Sequence, residues 1–99
     1  MDHSHHEAAD RLFQAILTLK TKEECRCFFD DLCTIKELQD LSQRLEVASM
    51  LRAGKNYQEV SRATGASTAT ICRVNKCLNY GSDGYETVLA RLQENEDPK

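Results

Sequence analysis

The sequence has few of the residues that break helices or favour strands. Its one proline, Pro98, lies in the tail, and valine and isoleucine are sparse. Apolar residues do not alternate strictly with polar ones, as they would in half-buried strands. No apolar run approaches the roughly 20 residues needed to span a bilayer. These absences favour an all-α protein without a membrane span, and the length suits one domain over residues 1–99.

An export signal and an even set of cysteines are also missing. Residues 1–10 are polar and rich in histidine, and the cysteines number five. We therefore expect a cytoplasmic protein with reduced thiols. Residues 1–5 and 94–99 are polar and charged ends that we expect to be flexible.

Patterns of catalysis are absent as well. The sequence shows no nucleophile–base pair, no carboxylate pair in an apolar setting, no phosphate loop and no dinucleotide fingerprint. We expect no enzyme activity and no cofactor. A metal site is conceivable at His3, His5 and His6, since imidazole binds zinc and nickel, but a solvated N-terminus is the simpler interpretation.

The cysteines at positions 25, 27 and 33 are a second candidate for metal binding. Their C-x-C-x5-C pattern lacks the C-x2-C spacing of common zinc modules. On one helix the first two would point to different faces. We therefore expect buried, apolar thiols here and no metal site.

Capping patterns predict where helices begin. A Ser or Thr followed three residues later by Glu forms a capping box, and this pattern recurs at Ser4, Thr21 and Thr34. The three helices should reach about residues 20, 32 and 53. A loop over residues 80–84 then precedes a last helix, which begins near Asp83.

The segment from about residue 56 to 79 predicts two short helices joined at Gly65. Asn56 and Glu59 can cap the first helix reciprocally, and Gly65 can adopt the left-handed conformation that ends it. Ser67 can cap the second helix. Ile71, Val74 and Leu78 would form its apolar stripe. This pattern is typical of a DNA-binding helix-turn-helix, although an ordinary helical hairpin would share it.

The outward face of the second helix is suited to DNA. Thr68 and Thr70 are small hydroxyl residues near its start, where they could reach a base edge or a bridging water. Arg73 and Lys76 follow within two turns, where basic groups could contact phosphates.

Charge is distributed in a way that supports this interpretation. Residues 1–40 carry 5 Lys/Arg against 9 Asp/Glu, a net charge of −4. Residues 41–79 carry 6 against 2, a net charge of +4, and residues 80–99 carry 2 against 5, a net charge of −3. A domain can bind DNA through a local basic face while its net charge is −3.

Wide apolar faces on the first two helices predict a homodimer. Leucine and phenylalanine recur along both helices, and a compact helix-turn-helix cannot cover them. A monomeric bundle is the alternative, but exposed stripes of this size are unusual in monomers.

Two stretches resemble the tryptophan operon repressor. They are the long helix from Thr34 to Ala53 and the run Gly65-Ala66-Ser67-Thr68-Ala69-Thr70-Ile71-Cys72-Arg73. The run from Asn79 to Tyr85 is more similar to the YerC/YecD branch of Trp repressor-related proteins. The resemblance covers about residues 8–92. It implies an intertwined all-helical homodimer with two helix-turn-helix segments about one DNA turn apart.

The resemblance also implies sites. Those implied for DNA contact are Ser67, Thr68, Ala69, Cys72, Arg62 and Lys76. Those implied to line a co-repressor pocket are Thr34, Arg44, Thr70, Arg73, Val74 and Cys77. The repressor has glycine where this chain has Val74, serine where it has Cys77 and threonine where it has Cys72. These departures predict that L-tryptophan is not the effector and that the preferred DNA sequence differs.

Two functions follow as hypotheses. The first is a dimeric transcriptional regulator that binds double-stranded DNA, with a small anion as a possible effector. The second is a helical dimer that works as a protein-interaction or metal/redox-sensing module. The positive charge of residues 41–79 favours the first.

Overall fold

The computed structural model describes residues 3–96, and the side chains of residues 6–95. This part of the chain forms six helices and no strand, which confirms the all-α prediction. The helices are α1 His3–Leu17, α2 Lys22–Leu32, α3 Ile35–Arg52, α4 Tyr57–Thr64, α5 Thr68–Tyr80 and α6 Gly84–Glu96. Residues 1–2 and 97–99 lie outside the described residues, and the predicted flexibility of both ends stays a prediction.

The chain divides into two units, one up to Leu38 and one from Gln39 onward. The boundary falls within α3. The assignment of residues 1–99 to one domain stays a prediction.

The capping boxes predicted at Ser4, Thr21 and Thr34 have different outcomes. At α3, the Glu37 amide donates to Thr34 Oγ1 at 3.0 Å and the Thr34 amide donates to Glu37 Oε1 at 2.9 Å. At the start of α2 half of the predicted box forms: Thr21 Oγ1 accepts from the Glu24 amide at 3.0 Å, but Glu24 Oε1 accepts from the Lys20 amide at 2.8 Å and not from that of Thr21. The Ser4 prediction is wrong, because α1 begins at His3 and a residue inside a helix cannot be its N-cap.

The first helix ends earlier than its apolar pattern predicts. It stops at Leu17 rather than near Lys20. The next two amides donate to carbonyls three residues back, at 3.1 Å each, which is the tightened turn typical of a helix end. Apolar periodicity therefore continues for one turn beyond the helix itself.

The first unit has no buried residue among its described side chains. Phe13 is 56% exposed, Leu17 82% and Ile35 80%. Cys25 and Cys27 are exposed, and Cys33 is half-buried. The prediction of buried thiols is therefore wrong for Cys25 and Cys27, because α2 buries none of its residues in the single chain.

The second unit contains the hydrophobic core. Its buried members are Val47, Ala48, Val60, Ala66, Ile71, Val74 and Leu89. They come from α3, α4, α5, α6 and the turn between α4 and α5, so each of these elements contributes to one interior. The core thus fixes α4 and α5, the two helices of the helix-turn-helix, against α3 and α6.

An ion pair joins the end of α3 to the start of α6. Arg52 donates to both carboxylate oxygens of Glu86, at 2.8 Å each, and to Gln93 Oε1 at 3.3 Å. The hydrogen bonds from Arg52 lower the pKa of Glu86, and the same bonds raise the pKa of Arg52. The paired geometry is the planar two-bond arrangement that arginine forms with carboxylates, and it links the two helices at the surface.

Candidate nucleic-acid interface

The helix-turn-helix segment, residues 56–80, begins with a complete capping box. The Glu59 amide donates to Asn56 Oδ1 and the Asn56 amide donates to Glu59 Oε1, both at 2.9 Å. The first helix of the segment, α4, ends at Thr64 and is capped by Gly65. The φ of Gly65 is left-handed, at 76°, and its amide donates to the Ser61 carbonyl at 2.8 Å. Glycine adopts this conformation without the steric cost that a Cβ atom would add.

The turn between α4 and α5 is fixed by its own hydroxyl groups. Thr64 Oγ1 donates to the Val60 carbonyl at 2.7 Å and accepts from the Ala66 amide at 3.1 Å. Ser61 Oγ donates to the Ala66 carbonyl at 3.1 Å. Because Ala66 is also buried, the turn is held by both hydrogen bonds and packing.

The second helix of the segment begins at a serine cap. Ser67 Oγ accepts from the Thr70 amide at 3.2 Å and lies 3.1 Å from Thr70 Oγ1. Ile71 and Val74 are each 1% exposed, and Leu78 packs against the same core. The predicted apolar stripe is therefore confirmed, and it decides which face of α5 is left outside.

The outward face of α5 carries the residues predicted to contact DNA. At 100° per residue, Thr68, Ala69, Cys72 and Lys76 fall within an arc of roughly 100°. All four are exposed, and Ser67 precedes them at the cap. The arc lies away from the stripe of Ile71, so the helix presents a small, polar and cationic surface to solvent.

Three exposed cations lie on α4 and α5. Arg62 at the end of α4 is exposed, as are Arg73 and Lys76 on α5. Within the part of the chain that the structure describes, none of the three forms a side-chain hydrogen bond or ion pair. Their charges are available to an external anion such as a phosphate.

The six residues predicted to line a ligand pocket differ in their exposure to solvent. Arg44, Thr70 and Cys77 are half-buried, and Arg73 is exposed. Val74 is a core residue, so its methyl groups fill the space beneath α5 and do not line an open surface. Thr34, in the first unit, caps α3. That all six share one pocket stays a prediction.

An apolar concavity of about 520 Å³ lies beside the end of α5. Its lining residues are Leu45, Cys77, Gly81, Ser82, Gly84, Tyr85 and Val88. Cys77 is the one residue that it shares with the predicted ligand pocket. A Cβ atom at Gly81 would lie 2.3 Å from the Cys77 carbonyl oxygen, so the close approach at this edge requires glycine.

The described residues form no candidate metal site. Among them, no group of three or more His, Cys, Asp or Glu residues could hold a metal ion. The side chains of His3 and His5 lie outside the described set. Among the described helices, none combines the length and hydropathy that crossing a membrane requires.

Comparison with known families decides the identity of the fold. Residues 7–93 match the profile of the family described as Trp repressor protein. The chain belongs to the Trp repressor family. This confirms the resemblance read from the sequence, and the family is one of regulators rather than enzymes.

Proteins from three bacteria are similar to this chain. It is 62% identical over 87 residues to the uncharacterized protein YerC of Bacillus subtilis (strain 168), covering 88% of this chain and 84% of that protein. A crystal structure of a "putative Trp repressor" from Staphylococcus aureus matches with a TM-score of 0.85 and 53% identity, over 88% and 87% of the two chains. A TrpR-like protein from Eubacterium eligens ATCC 27750 matches with a TM-score of 0.85 and 56% identity, over 89% and 91%.

The sequence did not predict the role of one residue of this Trp repressor family member. Gln43 on α3 donates from Nε2 to the Thr64 carbonyl at 3.1 Å, across 21 positions of sequence. No periodic or capping pattern predicts a contact of that kind. The contact joins the core helix α3 directly to the turn of the helix-turn-helix segment.

Proposed function

We propose that the protein is a sequence-specific DNA-binding transcriptional regulator that acts as a homodimer through residues 56–80. The observation that carries the proposal is the outward face of α5. It combines small side chains near the helix start with cations that have no partner in the described chain. The Trp repressor family supports a regulator of this kind.

The chemistry of this face separates specificity from affinity. Thr68 and Ala69 are small and lie in the first turn of α5, where a side chain can approach base edges in the major groove. Lys76 on that face, Arg73 on the same helix and Arg62 on α4 are the cations expected to contact phosphates. Cys72 is a weaker hydrogen-bond partner than a hydroxyl, so the preferred DNA sequence should differ from one selected by threonine at that position.

Exposed apolar residues of the first unit support the dimer. Phe13 and Leu17 on α1 and Leu32 at the end of α2 are exposed in the single chain. Burial of such side chains contributes roughly 1.5–3 kcal/mol each. A second copy of the chain would cover them and would place two copies of α5 on one DNA site.

The first prediction concerns this dimer. Sedimentation equilibrium or light scattering at micromolar concentration should give twice the chain mass of 11.2 kDa. Leu17→Glu should shift the equilibrium toward monomer, because it places a charge in the apolar face. Glu7→Gln, an exposed change on the same helix, is the control and should leave the dimer intact. A monomer for the unaltered chain would contradict the prediction.

The second prediction concerns DNA. Mobility shifts with genomic fragments, measured at two salt concentrations, should show binding that weakens as salt increases. Lys76→Ala should weaken binding to all fragments and lower the salt slope by about 1. Thr68→Ala should instead change the preference among fragments, because Thr68 faces bases and not phosphates.

Lys22→Ala is the matched control for Lys76→Ala. It removes the same charge from an exposed position in α2, outside the helix-turn-helix segment. Its effect on affinity and salt slope should be close to zero. Equal effects of the two variants would show that net charge, and not the face of α5, governs binding.

Exposed thiols favour a second candidate function. Cys25, Cys27 and Cys72 are exposed, as a redox-sensing or interaction module would need. An intact dimer that binds no DNA fragment under reducing conditions would support the redox-sensing or interaction module and would contradict the proposal of a DNA-binding regulator. DNA binding that persists when Cys25 and Cys27, which lie outside the DNA-facing surface, are replaced by serine would support the regulator alone.

The proposal excludes L-tryptophan as effector and leaves room for a small anion near Arg44 and Arg73. Guanidinium groups bind carboxylates and phosphates well. A regulator of transcription works where the chromosome is, so we expect the protein in the cytoplasm.

A further inference from the structure

The contact between Gln43 and Thr64 joins two parts of the second unit that have different tasks. Gln43 is half-buried on α3, one turn before Val47, which is fully buried in the core. Thr64 is the last residue of α4. The 3.1 Å hydrogen bond therefore runs from the core helix to the point at which the chain turns toward α5.

The turn that receives this bond is cross-linked by its own hydrogen bonds. Ser61, Thr64 and Ala66 are linked by the hydrogen bonds described above, and Ser67 continues them into the first turn of α5. A displacement of the Thr64 carbonyl would therefore shift the start of α5 as well. Thr68 and Ala69, which the proposed function places at base edges, lie four and five residues beyond that carbonyl.

Apolar packing alone would leave the turn between α4 and α5 less well oriented. Contacts among Val60, Ile71 and Val74 resist separation of the helices, but they depend weakly on direction. A hydrogen bond is directional and weakens steeply when its angle is lost. The Gln43 amide nitrogen faces a carbonyl oxygen, which only accepts, so the donor cannot be replaced by the amide oxygen without repulsion.

We infer that Gln43 is a positioning residue for DNA recognition: it orients the turn at Thr64 and thereby aims the first turn of α5 at the bases. This inference rests on the proposed function of the helix-turn-helix segment. It assigns Gln43 no contact with DNA. It predicts that discrimination between DNA sequences depends on a residue of α3 that lies outside the DNA-facing surface.

The test compares Gln43→Met with Gln43→Glu. Methionine keeps most of the volume and removes the donor, whereas glutamate keeps the shape and sets a carboxylate against the Thr64 carbonyl. We expect affinity for the preferred fragment to fall about three- to tenfold for methionine and further for glutamate. For Gln43→Met, affinity for unrelated DNA should stay within twofold of that of the unaltered chain, and the salt slope should not change. The reason is that Arg62, Arg73 and Lys76 are unchanged.

A second readout does not involve DNA. Hydrogen exchange at the amides of Gly65 and Ala66 should become about three- to tenfold faster in Gln43→Met, since these amides are bonded within the turn. Ala90→Gly in α6 is the control for a general loss of stability. It should lower the melting temperature without accelerating exchange at the turn selectively and without changing the ratio of specific to unrelated binding.

The outcomes separate the inference from the proposed function. No DNA binding by the unaltered chain would overturn the proposed function, whereas the exchange at Gly65 and Ala66 would still report the orienting contact. Binding by the unaltered chain with an unchanged specificity ratio in both Gln43 variants would overturn the inference alone. A third outcome would also overturn the inference. If Gln43→Met lost equal affinity for preferred and unrelated DNA, and Ala90→Gly with the same melting temperature lost as much, Gln43 would be a structural residue only.

Discussion

Replacing Val74 by glycine is expected to lower the free energy of unfolding by about 3–5 kcal/mol. The valine is 1% exposed and lies in the middle of α5. Its removal loses the transfer free energy of three carbon atoms and leaves a cavity, together roughly 2–4 kcal/mol. Glycine inside a helix costs about 1 kcal/mol more.

Lys76→Gly is the control for the second of these terms. Lys76 is exposed on the same helix two residues later, so its replacement carries the glycine cost of about 1 kcal/mol without a cavity. Urea unfolding at matched protein concentration measures both variants, since association shifts apparent stability. Equal losses for Val74→Gly and Lys76→Gly would contradict a core role for Val74.

The second large effect concerns L-tryptophan. Isothermal titration of the unaltered protein with millimolar L-tryptophan should give no measurable heat. Val74 occupies space that glycine would leave open, and overfilling a packed site costs about 1–3 kcal/mol. Cys77 in place of a serine hydroxyl loses a hydrogen-bond partner, which costs about as much again. Together the two terms reduce affinity by roughly a hundredfold or more.

The double variant Val74→Gly with Cys77→Ser gives the matching gain. It restores space and a hydroxyl, so it is the change expected to create tryptophan binding. Because Val74→Gly alone destabilises the fold, bound ligand should raise the melting temperature of the double variant and leave that of Cys77→Ser unchanged. A dissociation constant below about 100 μM for the unaltered protein would contradict the prediction.

Local chemistry explains which parts of the fold could be predicted. The starts of α3 and α4 depend on capping residues three positions apart, Thr34 with Glu37 and Asn56 with Glu59, and both boxes form. The end of α4 depends on the backbone freedom of Gly65 alone. Signals of this kind lie within one turn of the chain and need no knowledge of tertiary structure.

Residues on α3 show where sequence reasoning stops. The apolar repeat of α3 predicts one stripe made of Leu38, Leu41, Leu45, Ala48 and Leu51. Ala48 is buried as expected, but Leu41 and Leu45 are exposed in the single chain, and the buried Val47 lies outside the repeat. One helix can carry two apolar faces, and periodicity does not tell which face the chain itself covers. Gln43 carries no periodic signal, because its partner lies 21 residues away.

The candidate site divides in the same manner. Thr68, Ala69, Cys72 and Lys76 share a face of α5 by helical geometry alone, and the structure leaves that face exposed. A ligand pocket needs side chains from several elements in three dimensions. Spacing along the chain cannot supply that relation, and Val74 illustrates it, since the core contains a side chain that the resemblance places in the pocket.

The shortness of α4 has a consequence for the cooperativity with which the helix-turn-helix segment folds. The helix has eight residues, and helices shorter than about 12–15 residues rarely persist alone in water, because nucleation is costly. Even with its complete capping box, α4 therefore forms only as it docks on α5 and the core. Folding of the segment should be all-or-none, so a chain in which the turn has opened would lose α4 at the same moment and would present no partly assembled DNA-facing surface.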